Sequence, residues 1–145
     1  RNAGFDSSIV IRGTEGGVVP SLRQKANAHY YFDKEKNDKL IEVEPDKDLN
    51  INQTVRAVKI PDDFEKKTKL DKIEIKVDPK EIAKESLKLG MSALSGVNGP
   101  MRDCIALSTS IMLHHVSKHS INDCYKEVNK VLDNGAGLKR FKAAL

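Results

Sequence analysis

The residues best suited to chemistry lie in a glycine-rich turn close to the start of the printed sequence. Gly13, Gly16 and Gly17 surround Glu15 directly after an apolar segment, and Arg12 precedes them. Glycines at such a position allow the positive φ values that a turn at the end of a strand requires. They also let backbone amides approach a phosphate or a sugar. The turn is therefore either a strand-end turn or the lining of a phosphate or sugar site.

Charged side chains near this turn indicate what it could bind. Arg12, Arg23 and Lys25 flank the glycines, and they either form a solvated rim or guide an anionic ligand. Glu15 is the carboxylate nearest the glycines, so it is either a surface side chain or a magnesium ligand. Magnesium in proteins takes one or two carboxylates together with phosphate and water, so a single Glu argues against the usual two-metal arrangement.

Histidines and cysteines supply the other candidates. His115 and His119 are four residues apart in a helical pattern, which suits metal binding, but no third ligand accompanies them. We expect them to cap the carboxyl end of a helix, where a positive imidazole is favoured. Cys104 and Cys124 have neither CxxC spacing nor a recognisable His or acidic partner. We expect packed thiols in a reducing compartment rather than a zinc site.

The secondary structure that must position these residues is predicted to change from strands to helices near Asp78. Before it, apolar and alternating patterns predict strands, and the polar residues 33–38 predict a hairpin loop between two of them. The lysine-rich residues 62–72 are expected to form a mobile connection. The predicted strands cover residues 9–12, 27–32, 39–44, 54–60 and 73–77.

After Asp78 the pattern is helical. Asp78 as N-cap followed by proline predicts a helix over residues 79–95, with an apolar stripe of Ala83, Leu87, Gly90 and Leu94. A Gly-Pro start predicts a main core helix over residues 100–118, with an apolar face of Ile105, Leu107, Ile111, Met112 and Val116. Ser120 predicts the cap of a third helix that ends at residues 134–135 and turns Cys124, Val128, Val131 and Leu132 inward. Residues 138–144 are predicted to form a short final helix.

Composition limits the class of protein. The 145 residues are 39% apolar and 32% charged, which suits one α/β domain over residues 1–145, with a strand-rich half, 1–77, and a helical half, 78–145. We expect a mixed, partly antiparallel sheet of four to five strands covered by the carboxy-terminal helices. The net charge of +4 permits contact with phosphates or nucleic acid. The sequence shows no membrane-spanning run and no signal-like start, so a cytoplasmic protein without membrane contact is expected.

An apolar segment lies within a few residues of Arg1. If it forms a parallel strand, it needs a crossover connection of a dozen or more residues, and none precedes it. We therefore expect the carboxy-terminal part of a longer protein. Such a fragment would expose a sheet edge, which a homodimer could cover.

Four segments carry a resemblance to a known family. Residues 99–103 read Gly-Pro-Met-Arg-Asp before an apolar helix, and residues 131–138 read Val-Leu-Asp-Asn-Gly-Ala-Gly-Leu. This order is similar to the end of the anthranilate phosphoribosyltransferase family. Residues 9–17, with 20–24 after them, most closely resemble the branch of anthranilate phosphoribosyltransferase-like glycosyltransferases that carries Gly-x-Glu-Gly-Gly. Residues 40–49 resemble the family's strand ending in Thr-Pro-Glu-Asp-Phe, whereas residues 50–77 look like an insertion.

The resemblance implies the later part of the α/β domain of the nucleoside phosphorylase and phosphoribosyltransferase fold. It implies transfer of a phosphoribosyl or related group from phosphoribosyl diphosphate or another anionic small molecule, with magnesium in the full-length parent. In this family the diphosphate loop lies earlier in the sequence, so the fragment is not expected to be active alone. Gly16 and Gly17 replace the Asp-Glu pair of the anthranilate enzymes. The alternative is a non-catalytic nucleic-acid-binding protein of the same fold.

Overall fold

A computed structural model describes residues 4–11, 13, 19–32, 37–55, 58, 65–70, 73–77 and 79–144. The strands are β1 (Ser7–Ile11), β2 (Ala26–Phe32), β3 (Lys39–Val43), β4 (Glu65–Leu70) and β5 (Ile73–Val77). The helices are α1 (Pro45–Leu49), α2 (Pro79–Leu94), α3 (Pro100–Ser117), α4 (Ile121–Asp133) and α5 (Ala136–Ala143). The chain is therefore a mixed α/β protein, as predicted. None of the described helices is long and apolar enough to cross a bilayer.

The described strands form two separate antiparallel sheets. β1, β2 and β3 follow one another in a three-stranded sheet, with Ile9 opposite Tyr30 and Ala28 opposite Ile41. β4 and β5 form a two-stranded sheet. The described strands thus do not join into the single sheet of four to five strands that the sequence analysis predicts. Because β1 pairs with β2 in the antiparallel sense, it needs no crossover connection, and the argument from a parallel strand does not apply.

Two predictions about the segment between the sheet and the helices were wrong. Residues 54, 55 and 58 lie outside the strands, and the rest of the strand predicted over 54–60 lies outside the described residues. In place of strand pairing, Val58 packs against the core, and the side-chain amide of Gln53 donates to Asp103 at 2.6 Å. Residues 65–70 form β4, although a mobile connection was predicted there. Strand pairing by backbone hydrogen bonds does not require an apolar pattern.

The core lies between the three-stranded sheet and α3. Its buried residues come from the connection between β1 and β2, from β3, from α1 and the segment after it, and from one face of α3. They are Leu22, Val43, Leu49, Ile51, Cys104, Leu107 and Ile111. A second cluster joins another face of α3 to α4 through Ala106, Val128 and Leu132. α3 is therefore packed on two sides, which confirms it as the main core helix.

This two-sided packing corrects the predicted apolar faces. On α3, Leu107 and Ile111 are buried, but Met112 is 56% exposed and Val116 is 72% exposed, because these positions lie on the side away from both clusters. On α4, Val131 is exposed while its three predicted companions are buried. On α2, Ala83 and Leu87 are exposed, whereas Ala93 is buried.

The helix ends follow the capping signals. The side chain of Ser120 accepts a hydrogen bond from the backbone amide of Asp123 at 3.1 Å, which caps α4. α4 ends at Asp133, with Asn134 as its C-cap. The short helix α1, which the sequence analysis did not predict, begins with a proline at its first turn and places Leu49 in the core.

Candidate functional site

The predicted site is only partly covered by the described residues. Gly13, Arg23 and Lys25 are described. Arg12, Glu15, Gly16 and Gly17 lie outside the described residues, so the possible metal ligand and most of the glycine turn stay predictions. Gly13 itself is half-buried and follows β1 by two positions.

The strand register places the start and the end of the connection between β1 and β2 at the same end of the sheet. Ile11 at the end of β1 pairs with Ala28, and Ala26 at the start of β2 pairs with Val43. Gly13 and Lys25 therefore lie at the same end of the sheet, on either side of the connection between β1 and β2. Of the candidate residues, Gly13 and Lys25 thus lie at one end of the sheet, whereas Glu15, Gly16 and Gly17 lie outside the described residues.

A local hydrogen-bonded turn fixes the second half of that connection. The hydroxyl of Ser21 accepts hydrogen bonds from the backbone amides of Arg23 at 3.2 Å and of Gln24 at 2.9 Å. Leu22 between them is fully buried in the core. The anchored leucine and the capped amides hold the backbone of Arg23 in place while its side chain is exposed.

The two basic residues differ in their surroundings. The ammonium group of Lys25 lies 2.7 Å from the carboxylate of Glu42 on β3, and both side chains are about half exposed. A surface pair of this kind contributes about 0–1 kcal/mol to stability. It also offsets the charge that Lys25 would present to an anion. The positive charge that Arg23 and Lys25 together offer to a ligand is therefore smaller than the sequence indicates.

Arg102 is the charged residue that sequence reasoning did not rank as a site. It is 7% exposed, and its guanidinium donates to the Gly96 carbonyl at 2.9 Å, to the Asn129 side-chain oxygen at 2.9 Å and to the Asp133 carboxylate at 2.7 Å. The donors of a planar guanidinium suit such divergent acceptors. Arg102 therefore ties the turn after α2 and the last turn of α4 to the first turn of α3. The Gly-Pro helix start just before Arg102 is the sequence signal that could have identified this residue.

A cavity of about 430 Å³ opens beside this first turn of α3. Its walls are mostly apolar and include Val55, Leu89 and Val97, together with the segment from Gly99 to Arg102. Gly99 has a φ of +151° and offers no side-chain cap to the helix amides. A cavity with apolar walls and a few polar groups suits a small organic ligand.

The surroundings of the histidines and cysteines are those of residues with structural roles. Burial raises the pKa of the Cys104 thiol, and Cys124 is also buried and unbridged. The packed thiols are thereby confirmed. Burial lowers the pKa of His115, and the charge of His114 lowers it further, which disfavours the positive imidazole expected of a helix cap. His119 lies beyond the end of α3.

Within the described ranges, no group of three or more His, Cys, Asp and Glu side chains is placed to hold a metal ion. A scan against protein-family models finds no match for this chain. A search of curated proteins also finds no match.

Proposed function

We propose that the chain is part of an anthranilate phosphoribosyltransferase-like glycosyltransferase domain that moves a phosphoribosyl or related group. The observation that carries this proposal is the cavity beside the start of α3. The segment that resembles the family, Gly99 to Arg102, forms part of the wall of that cavity. The apolar lining suits the body of an acceptor, and the polar lining residues Glu85, Ser92 and Asn98 suit its orientation.

The Arg102 contacts support the proposal because they join the two resembling segments. Asp133 belongs to the second segment and lies 31 positions further along the sequence, yet its carboxylate is 2.7 Å from the guanidinium. The two segments thus form one packed unit. A transferase of this kind works mainly by positioning its reactants and by stabilising charge. A rigid cavity wall is a contribution that this chain can make to such a reaction.

The glycine turn would lie at the edge of the cleft, with Arg23 exposed beside it. A magnesium ion would need a carboxylate there, and Glu15 is the candidate, because Glu42 at the same sheet end is paired with Lys25. Backbone amides that cradle the diphosphate are expected from another part of the parent protein. The alternative is a nucleic-acid-binding protein of the same fold, which the net charge of +4 favours.

Ligand titration of the full protein that contains this chain distinguishes the two functions. The transferase proposal requires binding of phosphoribosyl diphosphate that depends on magnesium, with no measurable affinity for single- or double-stranded DNA. The replacement Glu15→Gln should weaken that binding, while Glu127→Gln, an exposed change on α4, should leave it unaltered.

The reverse outcome would support the alternative. Replacing both Arg23 and Lys25 with Glu should then weaken DNA binding about equally for all sequences and flatten its salt dependence, because phosphate contacts release counterions without reading bases. DNA binding of this kind without magnesium-dependent binding of phosphoribosyl diphosphate would refute the transferase proposal.

A further inference from the structure

The sequence contains two Asn-Gly pairs, and they have different surroundings in the structure. Asn98 and Gly99 lie in the connection between α2 and α3. Asn134 and Gly135 lie in the connection between α4 and α5. An asparagine that precedes glycine is prone to deamidation, because glycine has no Cβ to hinder the attack of its own backbone nitrogen on the preceding side chain. The two pairs therefore offer the same chemistry in two environments.

Both reacting groups of the first pair are unrestrained. Asn98 is exposed, and none of the described residues forms a hydrogen bond with its side chain. The backbone amide of Gly99 donates to none of them either, although the Gly99 carbonyl accepts from the amide of Asp103 at 3.1 Å. A Cβ added to Gly99 would meet nothing within 4 Å, so the space beside its Cα is open. The amide nitrogen and the side chain are thus accessible in the folded chain.

Hydrogen bonds hold both reacting groups of the second pair. The backbone amide of Gly135 donates to the carbonyl of Leu132 at 3.2 Å. The side-chain oxygen of Asn134 accepts from the backbone amide of Ala136 at 2.9 Å, at the start of α5. Attack by the Gly135 nitrogen must break both contacts, so it requires local opening of the connection between α4 and α5. The same reaction at Asn98 requires no such opening.

Ring closure at the first pair also leaves the start of α3 in place. When the Gly99 nitrogen joins the side chain of Asn98, it loses its proton and can no longer donate a hydrogen bond. The hydrogen bond that Gly99 makes to Asp103 uses the carbonyl, which takes no part in the ring. The folded chain therefore loses no hydrogen bond between described residues when this ring forms.

We propose that Asn98 is a site of spontaneous deamidation in the folded protein and that Asn134 is protected. The Gly99 nitrogen gives its proton to solvent and bonds to the Cγ of Asn98, while the Cγ–Nδ2 bond breaks and ammonia leaves. Water then adds to either carbonyl of the succinimide ring and opens it, which gives aspartate or isoaspartate. The net reaction consumes water and releases ammonia.

This modification changes the cavity at the start of α3. Asn98 belongs to the lining of that cavity, in which Glu85 is the carboxylate among the described residues. Deamidation adds another negative charge to the lining, and isoaspartate also lengthens the backbone directly before α3. The deamidated chain should therefore bind an anionic ligand in the cavity more weakly. The modification site itself does not depend on the transferase proposal.

Timed incubation of the full chain at mildly alkaline pH, followed by tryptic digestion and mass spectrometry, tests the proposal. Trypsin places the two pairs in separate peptides, residues 89–102 and 131–139. In the folded protein the first peptide should deamidate about tenfold faster than the second, and in urea the two rates should converge. Both isoaspartate and aspartate should form. Asn98→Gln should abolish the fast reaction because its longer side chain does not form this ring, whereas Asn134→Gln should leave it unchanged.

Several outcomes would overturn the proposal. They are equal rates for the two peptides in the folded protein, faster reaction of residues 131–139, and no reaction of residues 89–102. Aspartate without isoaspartate would indicate direct hydrolysis of the side chain and would exclude attack by Gly99. A sample digested without incubation corrects for deamidation during digestion. Circular dichroism spectra identify any loss of fold in the variants, and the two peptides of the unaltered chain provide a test that needs neither variant.

Discussion

Removing the guanidinium of Arg102 should lower the free energy of unfolding by about 3 kcal/mol. Arg102→Met keeps an unbranched apolar stem in the buried position and deletes three hydrogen bonds, to Gly96, Asn129 and Asp133. A hydrogen bond that involves a charged group contributes about 1.5–3 kcal/mol, and three of them set an upper bound well above the expected loss. The lower figure follows because the Asp133 side chain is 64% exposed and regains water when its partner is removed.

Urea unfolding followed by circular dichroism measures this loss, and a double-mutant cycle assigns its origin. Asp133→Asn keeps an acceptor oxygen and removes only the charge, so it should cost about 0.5–1 kcal/mol in the native background. In the Arg102→Met background the same change should cost nearly nothing, because the ion pair is already absent. If Arg102→Met lowers the unfolding free energy by less than about 1 kcal/mol, the three contacts do not hold the helices together and the reasoning fails.

Three further predictions concern packing, backbone and protonation. Ile111→Ala should cost about 2–5 kcal/mol in urea unfolding, whereas Met112→Ala, at an exposed neighbouring position, should cost less than about 0.5 kcal/mol; equal costs would contradict the two-sided packing of α3. Gly90→Ala in the interior of α2 meets nothing within 4 Å and should raise the melting temperature through a gain of about 0.5–1 kcal/mol. Gly96→Ala should lower it, because φ is +92° and the new Cβ would lie 3.2 Å from a carbonyl oxygen of α4. Because the pKa of His115 is lowered on folding, the unfolded state binds the proton more readily, and stability should fall as pH decreases below about 6.5; an unchanged pH slope in His115→Gln would exclude this residue as the cause.

Local signals in the sequence predicted the helix ends well. Pro100 begins α3 and Ser120 caps α4, because a proline at the first helical turn and a serine N-cap act through backbone atoms only a few residues away. The strands β2 and β3 were also predicted within a residue of their observed ends. The polar loop between them fits their antiparallel pairing.

Features that depend on distant parts of the chain were predicted poorly. The exposure of Met112 and Val116 follows from which two sides of α3 are covered, and a single apolar pattern does not determine that. The partners of Arg102 lie on α4, and nothing near Arg102 in the sequence indicates them. Likewise, β4 is recognised by its pairing with β5, not by its own composition. At the candidate site, the glycine spacing predicted a turn but not the Glu42 carboxylate beside Lys25.

The angular position of residues along α3 also limits how the sequence can change in length. Arg102 faces the helices, whereas His115 faces the sheet. Thirteen positions at about 100° each place these two side chains about 220° apart around the helix axis, on nearly opposite sides. A deletion of one residue between them would rotate one end by about 100° relative to the other. Substitutions at an exposed position in the middle of α3, such as Met112, can therefore be tolerated where insertions and deletions cannot, because the relative angle of its two ends links both layers of the protein.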